Sequence, residues 1–270
     1  MRLLIFGPGY TASRLIARLV DRADIATVTR ETFADRARDI TNATHILSTA
    51  PPGDEDPVLA VYEREIARSG AWIGYLSSTG VYGDTHGAWV DESAPTGTGR
   101  RTARAQADAA WLALPNAHVF RLPGIYGPGR SPLDRIRAGT ATRIDIPGQV
   151  FSRIHVDDIV TGLIAGFDGP PGAYNLADDL PAAQSDVIAY GCALLGLPVP
   201  PLLPLEQANL TPRARAFYAE NRRVANGKAR RVLGWRPHYA DYRLGLRALS
   251  ATTSPATTST APPPASADQR

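Results

Sequence analysis

The stretch Arg2-Leu3-Leu4-Ile5-Phe6-Gly7-Pro8-Gly9-Tyr10-Thr11-Ala12-Ser13-Arg14-Leu15-Ile16 decides the fold. Its first five residues are a short apolar run of the kind that forms a strand buried on both faces. Gly7-x-Gly9-x-x-Ala12 follows at once, and Leu15, Ile16, Leu19 and Val20 then recur at helical spacing. Strand, glycine-rich turn and helix in that order make a site for a pyrophosphate. The first glycine allows the sharp turn, the second lets the backbone approach the phosphates, and a small third residue lets helix pack on strand. Free N–H groups and the helix dipole at Tyr10, Thr11 and Ala12 favour the anion.

Working outward, apolar runs at Ile25–Thr29, His45–Ala50, Trp72–Ser77 and Ala117–Leu122 read as further strands. Helical patterning lies between or after them at residues 55–68, 101–112, 155–167, 184–195 and 211–220. Strands alternating with helices specify an α/β fold, a Rossmann-like doubly wound parallel sheet. The short interval between Arg30 and Ile46 leaves little room for a helix and a strand, so the sheet is expected to lack an edge element there. Beyond Tyr126 the alternation weakens. We therefore expect one NAD(P)-binding domain over residues 1–248, with a small interleaved substrate lobe drawn mainly from 131–150 and 175–245. The Ser, Thr, Ala and Pro of residues 249–270 read as a disordered tail.

Composition narrows the function. The 270 residues carry 29 Lys and Arg against 26 Asp and Glu, a net charge of +3 that is too balanced for a dedicated nucleic-acid binder. No apolar run approaches the roughly 20 residues of a membrane span. One cysteine, Cys192, excludes an intrachain disulfide or a cysteine-built metal site. His45, His86, His118 and His238 show no ligand spacing, and no metal is expected. The reading is a cytoplasmic protein with a small-molecule substrate. Position 30 bears on the dinucleotide: where an acidic residue would hold the adenosine ribose stands Arg30, suited to a 2′-phosphate, so NADP(H) is favoured over NAD(H).

Four further blocks carry a resemblance. Tyr75-Leu76-Ser77-Ser78-Thr79-Gly80-Val81-Tyr82-Gly83, Arg121-Leu122-Pro123-Gly124-Ile125-Tyr126-Gly127-Pro128-Gly129-Arg130, Arg153-Ile154-His155-Val156-Asp157-Asp158 and Lys228-Ala229-Arg230-Arg231-Val232-Leu233-Gly234-Trp235-Arg236-Pro237 follow the glycine turn. In order and spacing they resemble the extended short-chain dehydrogenases/reductases, the NAD-dependent epimerase/dehydratase family. The resemblance covers residues 2 to 248. It implies that Ser78 hydrogen-bonds the reacting substrate oxygen, that Pro123 and Gly124 lie against the nicotinamide carboxamide, and that Ala50 and Pro51 cover the nicotinamide ribose. It also implies, by analogy alone, a homodimer.

The chain departs from that family at its catalytic pair. The Tyr-x-x-x-Lys position falls on Arg100 and Arg104, and Lys228, the one lysine, has Val224 four residues before it. Arginine stays protonated, so Arg100 cannot act as acid or base. This resembles an atypical subgroup lacking the pair. Tyr82, Tyr126 and His155 are the candidate replacements, each weighed against a packing role. Arg130, Arg153 and Arg222, the last beside Arg223, are candidate substrate contacts for a polar or nucleotide-linked molecule, weighed against ordinary surface arginines. Two functions follow: an oxidoreductase or epimerase-type enzyme with Ser78 as hydrogen-bond donor, and a non-catalytic NADP(H)-binding sensor or scaffold.

Overall fold

A computed structural model of the chain describes residues 1–99, 102–208 and 210–252. The opening run forms β1 (Arg2–Phe6), followed by α1 (Tyr10–Leu19), β2 (Asp24–Val28), α2 (Ala37–Asn42), β3 (His45–Ser48), α3 (Leu59–Arg68) and β4 (Trp72–Ser78). After α4 (Thr102–Leu112), strands Ala117–Leu122 and Gly172–Asn175 complete one six-stranded sheet. Every pairing in it is parallel, and the order from one edge is Gly172–Asn175, Ala117–Leu122, β4, β3, β1, β2.

The unbroken apolar sequence of β1 has its cause in this arrangement. Successive side chains point to opposite faces, and both faces are covered. Leu3 and Ile5 join Leu15 of α1 and Leu163 of helix Val156–Gly166 in one core cluster. Leu4 and Phe6 join Ile40 of α2, Tyr62 of α3 and Trp111 of α4 in the other. Leu15, at 0% exposure, anchors α1 with about 1.5–3 kcal/mol of burial. Arg14 and Asp157 then tie α1 to helix Val156–Gly166 at 2.7 Å; both side chains are about two-fifths exposed, so the pair adds at most about 1 kcal/mol.

The strand order reverses between β1 and β3, which puts the turn after β1 at the topological switch point where ligands of open α/β sheets bind. Residues between β2 and β3 form only the six-residue α2, and β2 is the sheet edge. The edge unit expected to be missing is missing.

Three two-stranded ribbons lie outside the main sheet: Arg143–Asp145 with Leu202–Pro204, Trp89–Val90 with Arg223–Val224, and Gly124–Tyr126 with Arg153–His155. A separate cluster containing Leu133, Ile136, Ile188, Cys192 and Leu246 gives this part its own core. Two sequence expectations need correction. Strand Gly172–Asn175 was not read from the sequence. The final helix, Tyr242–Thr252, runs into the expected tail because Leu246 and Leu249 are buried in that cluster; residues 253–270 lie outside the described residues.

Candidate active site

Gly7 adopts φ +79°, and a Cβ there would stand 3.2 Å from the Ala50 nitrogen. The turn therefore lies directly on the loop after β3, which is tied to it by bonds from the Thr49 nitrogen to the Phe6 carbonyl (2.9 Å) and from Thr49 Oγ1 to the Gly7 carbonyl. Gly9 is the opposite case. A Cβ on it would meet nothing nearer than the Gly7 carbonyl at 4.0 Å, so its bare backbone faces open space. Gly9 is also the N-cap of α1 and supplies no side-chain cap. The first N–H groups of a ten-residue helix thus open onto a cleft of about 1140 Å³ lined by Gly9, Tyr10 and Thr11. Ala12 lies fully buried beneath them. Uncapped amides, a bare glycine and the room to approach it fit a pyrophosphate.

Neighbouring residues flank this turn. The Gly7 nitrogen donates to the Val28 carbonyl (2.9 Å), so the end of β2 lies beside the turn, and Arg30 stands exposed two residues further on. Among the described residues Arg30 has no hydrogen bond or ion pair. The adjacent Glu31 carboxylate accepts from Thr29 Oγ1 at 2.5 Å, and that bond lowers its pKa. Ala50 is half-buried and Pro51 exposed in the loop after β3, but the member lining the cleft is Thr49, which sequence reasoning passed over. Pro123 and Gly124 line the cleft from the far side.

Ser78 is the last residue of β4 and lines the same cleft. Its Oγ accepts the Gly80 N–H at 3.1 Å, which fixes the oxygen and leaves the hydroxyl proton to donate elsewhere. Arg104, at the family's lysine position, also lines the cleft, and its Nη1 donates to the Tyr75 hydroxyl (2.8 Å) and the Leu76 carbonyl (3.3 Å). Burial pushes the Tyr75 phenol up to about 12 despite that cation. Arg100 lies outside the described residues.

The candidate replacements for the missing tyrosine face elsewhere. Tyr82 is 2% exposed. Its hydroxyl donates to Asn175 Oδ1 at 2.8 Å and accepts from Arg121 Nη1 at 3.0 Å, and burial raises its pKa. Arg121 in turn makes a bidentate pair with Asp108 (3.1 and 2.7 Å), which accepts from Ser77 Oγ at 2.5 Å. Burial opposes the Arg121 charge, but the Asp108 carboxylate outweighs it and raises the guanidinium pKa. This buried chain of polar groups, not the cleft, is what Tyr82 serves. The Tyr126 ring lines the cleft, yet its hydroxyl is pressed against Gly245 of the last helix, without a partner among the described residues, and burial drives its pKa far up. His155 caps helix Val156–Gly166, its Nδ1 accepting the Asp157 N–H at 3.2 Å. Burial takes it down to about 4, so it stays neutral at physiological pH.

The three arginines separate as well. Arg130 lies 4.8 Å above the Tyr10 ring, at the phosphate end of the cleft and not in the lobe. Arg222 lines the lobe side, but its Nη1 donates to the Glu220 carboxylate (2.9 Å) and the Gly83 carbonyl (2.6 Å). Arg153 lies at the floor, 9% exposed, donating from Nη1 to the carbonyls of Phe151 (2.8 Å) and Ala182 (3.0 Å). No described helix is long and apolar enough to cross a membrane.

Comparison with known proteins agrees with the fold. No protein-family model matches the chain. A conserved protein of unknown function from Silicibacter pomeroyi is 44% identical, with a TM-score of 0.84 over 93% of this chain and 98% of its own. A 3-diazoavenalumate denitrifying reductase from a Streptomyces species is 29% identical over 232 residues, 80% of this chain and 72% of that protein. The human epimerase family protein SDR39U1, solved with NADPH, shares the fold at 18% identity and a TM-score of 0.73, over 94% of this chain and all of its own.

Proposed function

Because the chain belongs to the extended short-chain dehydrogenases/reductases, we propose that it is a nicotinamide-dinucleotide-dependent oxidoreductase or epimerase-type enzyme acting on a small molecule. The observation that carries this reading is that Ser78 Oγ and the bare Gly9 turn open onto one cleft. Gly9, Tyr10 and Thr11 would hold the pyrophosphate, with Arg130 on the Tyr10 ring adding positive charge. Thr49, Ala50 and Pro51 would flank the ribose, and Pro123 with Gly124 the carboxamide. The dinucleotide, when bound, supplies or accepts a hydride at the substrate carbon.

Ser78 donates a hydrogen bond to the oxygen on that carbon, keeping its own proton, and stabilises that oxygen as negative charge develops. Arg104 holds its place beside Ser78 through Tyr75 and Leu76 and offers a fixed cation, but no proton. With the Tyr82 and Tyr126 hydroxyls turned away, the proton for that oxygen comes from water in the open cleft. Arg30 supports NADP(H) over NAD(H): it is an unengaged guanidinium beside the turn, while Glu31, the acid nearest in sequence, is occupied by Thr29. The tyrosine hydroxyls buried away from the cleft also favour a second reading, a protein that binds the dinucleotide and signals its level without turnover.

Calorimetric titration with NADPH and NADH tests the reading. Micromolar NADPH binding, much weaker NADH binding, and roughly 10- to 100-fold loss for NADPH in Arg30→Ala are expected from a charge-assisted phosphate contact. Binding of neither would end the enzyme assignment. Ser78→Ala should abolish NADPH consumption with dinucleotide affinity unchanged; consumption in no wild-type assay would leave the sensor reading standing.

A further inference from the structure

The half of the cleft away from the glycine turn has a different wall. Phe151 and Tyr218 meet edge to face with ring centroids 5.5 Å apart. Leu210, Phe217 and Val224 extend that wall, and Phe217 keeps 46% of its surface exposed. One exposed aromatic is unremarkable on a protein surface; one that continues a ring-lined wall inside a cleft is a surface shaped for an apolar, planar ligand.

Beneath this wall lies Arg153. Its bonds to the Phe151 and Ala182 carbonyls are to neutral acceptors, and no carboxylate of the described residues lies within ion-pair distance of it. Asp178 exerts the strongest opposite field on it, but burial pushes that carboxyl up to about 8, so the acid is mostly protonated at neutral pH. A guanidinium removed from water without a matching anion is costly. An anionic ligand group would complete the pair.

The same wall argues against a diphosphate. Arg222 is already engaged by the Glu220 carboxylate at 2.9 Å and so is not free to clamp a phosphate. Arg130 serves the opposite end, and Arg135, which lines the cleft near Tyr218, is exposed and screened by solvent. One buried cation set in an aromatic wall matches one negative charge on one ring. We propose that this end of the cleft is a subsite for a compact aromatic carboxylate, its ring against Phe151 and Tyr218 and its carboxylate toward Arg153. The nucleotide-linked substrate suggested by family resemblance does not suit these walls. The assignment rests on the reading that the glycine-turn half is taken by a dinucleotide.

The test is calorimetric titration of the full chain, with and without saturating NADPH, using trans-cinnamate, its neutral amide cinnamamide, and UDP-glucose. Cinnamate should bind the NADPH-loaded protein at least tenfold more tightly than cinnamamide, and UDP-glucose should not compete with it. Phe151→Leu and Tyr218→Ala should each weaken cinnamate severalfold while NADPH affinity holds, and Arg153→Gln should remove the preference for the acid over the amide. If Arg153→Gln does not fold, the acid–amide comparison on the wild type carries the charge argument alone. Equal binding of acid and amide, or tighter binding of UDP-glucose than of cinnamate, overturns the proposal. NADPH binding without cinnamate binding refutes the subsite and spares the cofactor reading. Cinnamate binding that depends on Phe151, in a protein that ignores NADPH, does the reverse.

Discussion

Asp108→Asn should be among the most damaging single-atom changes available in this protein. The carboxylate is buried and holds both edges of the Arg121 guanidinium, with side-chain exposures of 4% for Arg121 and 1% for Asp108. Converting it to an amide keeps the shape but leaves a buried cation with no counter-charge. Breaking such a pair from one side costs about 3–5 kcal/mol, which for a domain of this size lowers Tm by roughly 6–20 °C. Tyr82→Phe takes only a hydroxyl from the same chain of groups and should cost about 1–3 kcal/mol. Equilibrium urea unfolding of the full chain, followed by tryptophan fluorescence, measures each. The double variant Asp108→Leu with Arg121→Met removes both charges, and it should cost less than Asp108→Asn alone, because no uncompensated charge remains. The reasoning fails if Asp108→Asn costs under about 1 kcal/mol, the range of an exposed pair, or if the costs of the two single changes simply add. Tyr82→Phe with normal stability and lost turnover would move that hydroxyl from the buried network into the chemistry.

Three more outcomes are expected. Gly9→Val places its side chain in open space above the turn, so it should fold with a Tm only a few degrees lower, the poorer N-cap costing about 1 kcal/mol, yet lose NADPH binding by calorimetry. Tyr126→Phe deletes a buried hydroxyl without a partner among the described residues; it should raise stability by up to about 1–3 kcal/mol in urea unfolding and leave NADPH consumption intact. The third concerns pH. Asp178 is raised to about 8, so the folded state binds the extra proton and stability falls as pH climbs from the carboxylate range toward 8. His155, lowered to about 4, works in the other direction, losing stability as pH falls from 6.5 toward 4. The two oppose each other below pH 6.5 and leave Asp178 alone above it. Asp178→Asn should therefore abolish the decline in urea midpoint between pH 6.5 and 8 and expose the acid-side decline of His155; an unchanged profile would refute the Asp178 assignment.

Local pattern carried much of this architecture. The strands at residues 2–6 and 117–122 and the helix at 184–195 are bounded where their apolar periodicity begins and ends. The Gly-Ala-Tyr-Asn edge strand gives too short a signal, and the end of the last helix, Ser250-Ala251-Thr252, shares the composition of the tail after it. The candidate site divides along the same line. The glycine turn is legible because its chemistry is contiguous, Gly7 to Ala12. The directions of the Tyr82 and Tyr126 hydroxyls depend on Asn175, Arg121 and Gly245, which are 39 to 119 residues away in the chain, and no window of sequence contains them. Arg153 presents the same difficulty: burial and the missing carboxylate, not the residue type, set it apart from the other arginines.

The sheet that stops at β2 also bears on how a bound dinucleotide would be held. A dinucleotide lying across this switch point would have its adenosine end over the outermost strand, with only the six-residue α2 in place of a full strand–helix unit beside it. Asp24, Ala26 and Thr27 of that strand are exposed. The truncated edge thus leaves the outer end of the groove beside open strand, where a single side chain such as Arg30 has the most influence on which dinucleotide is preferred.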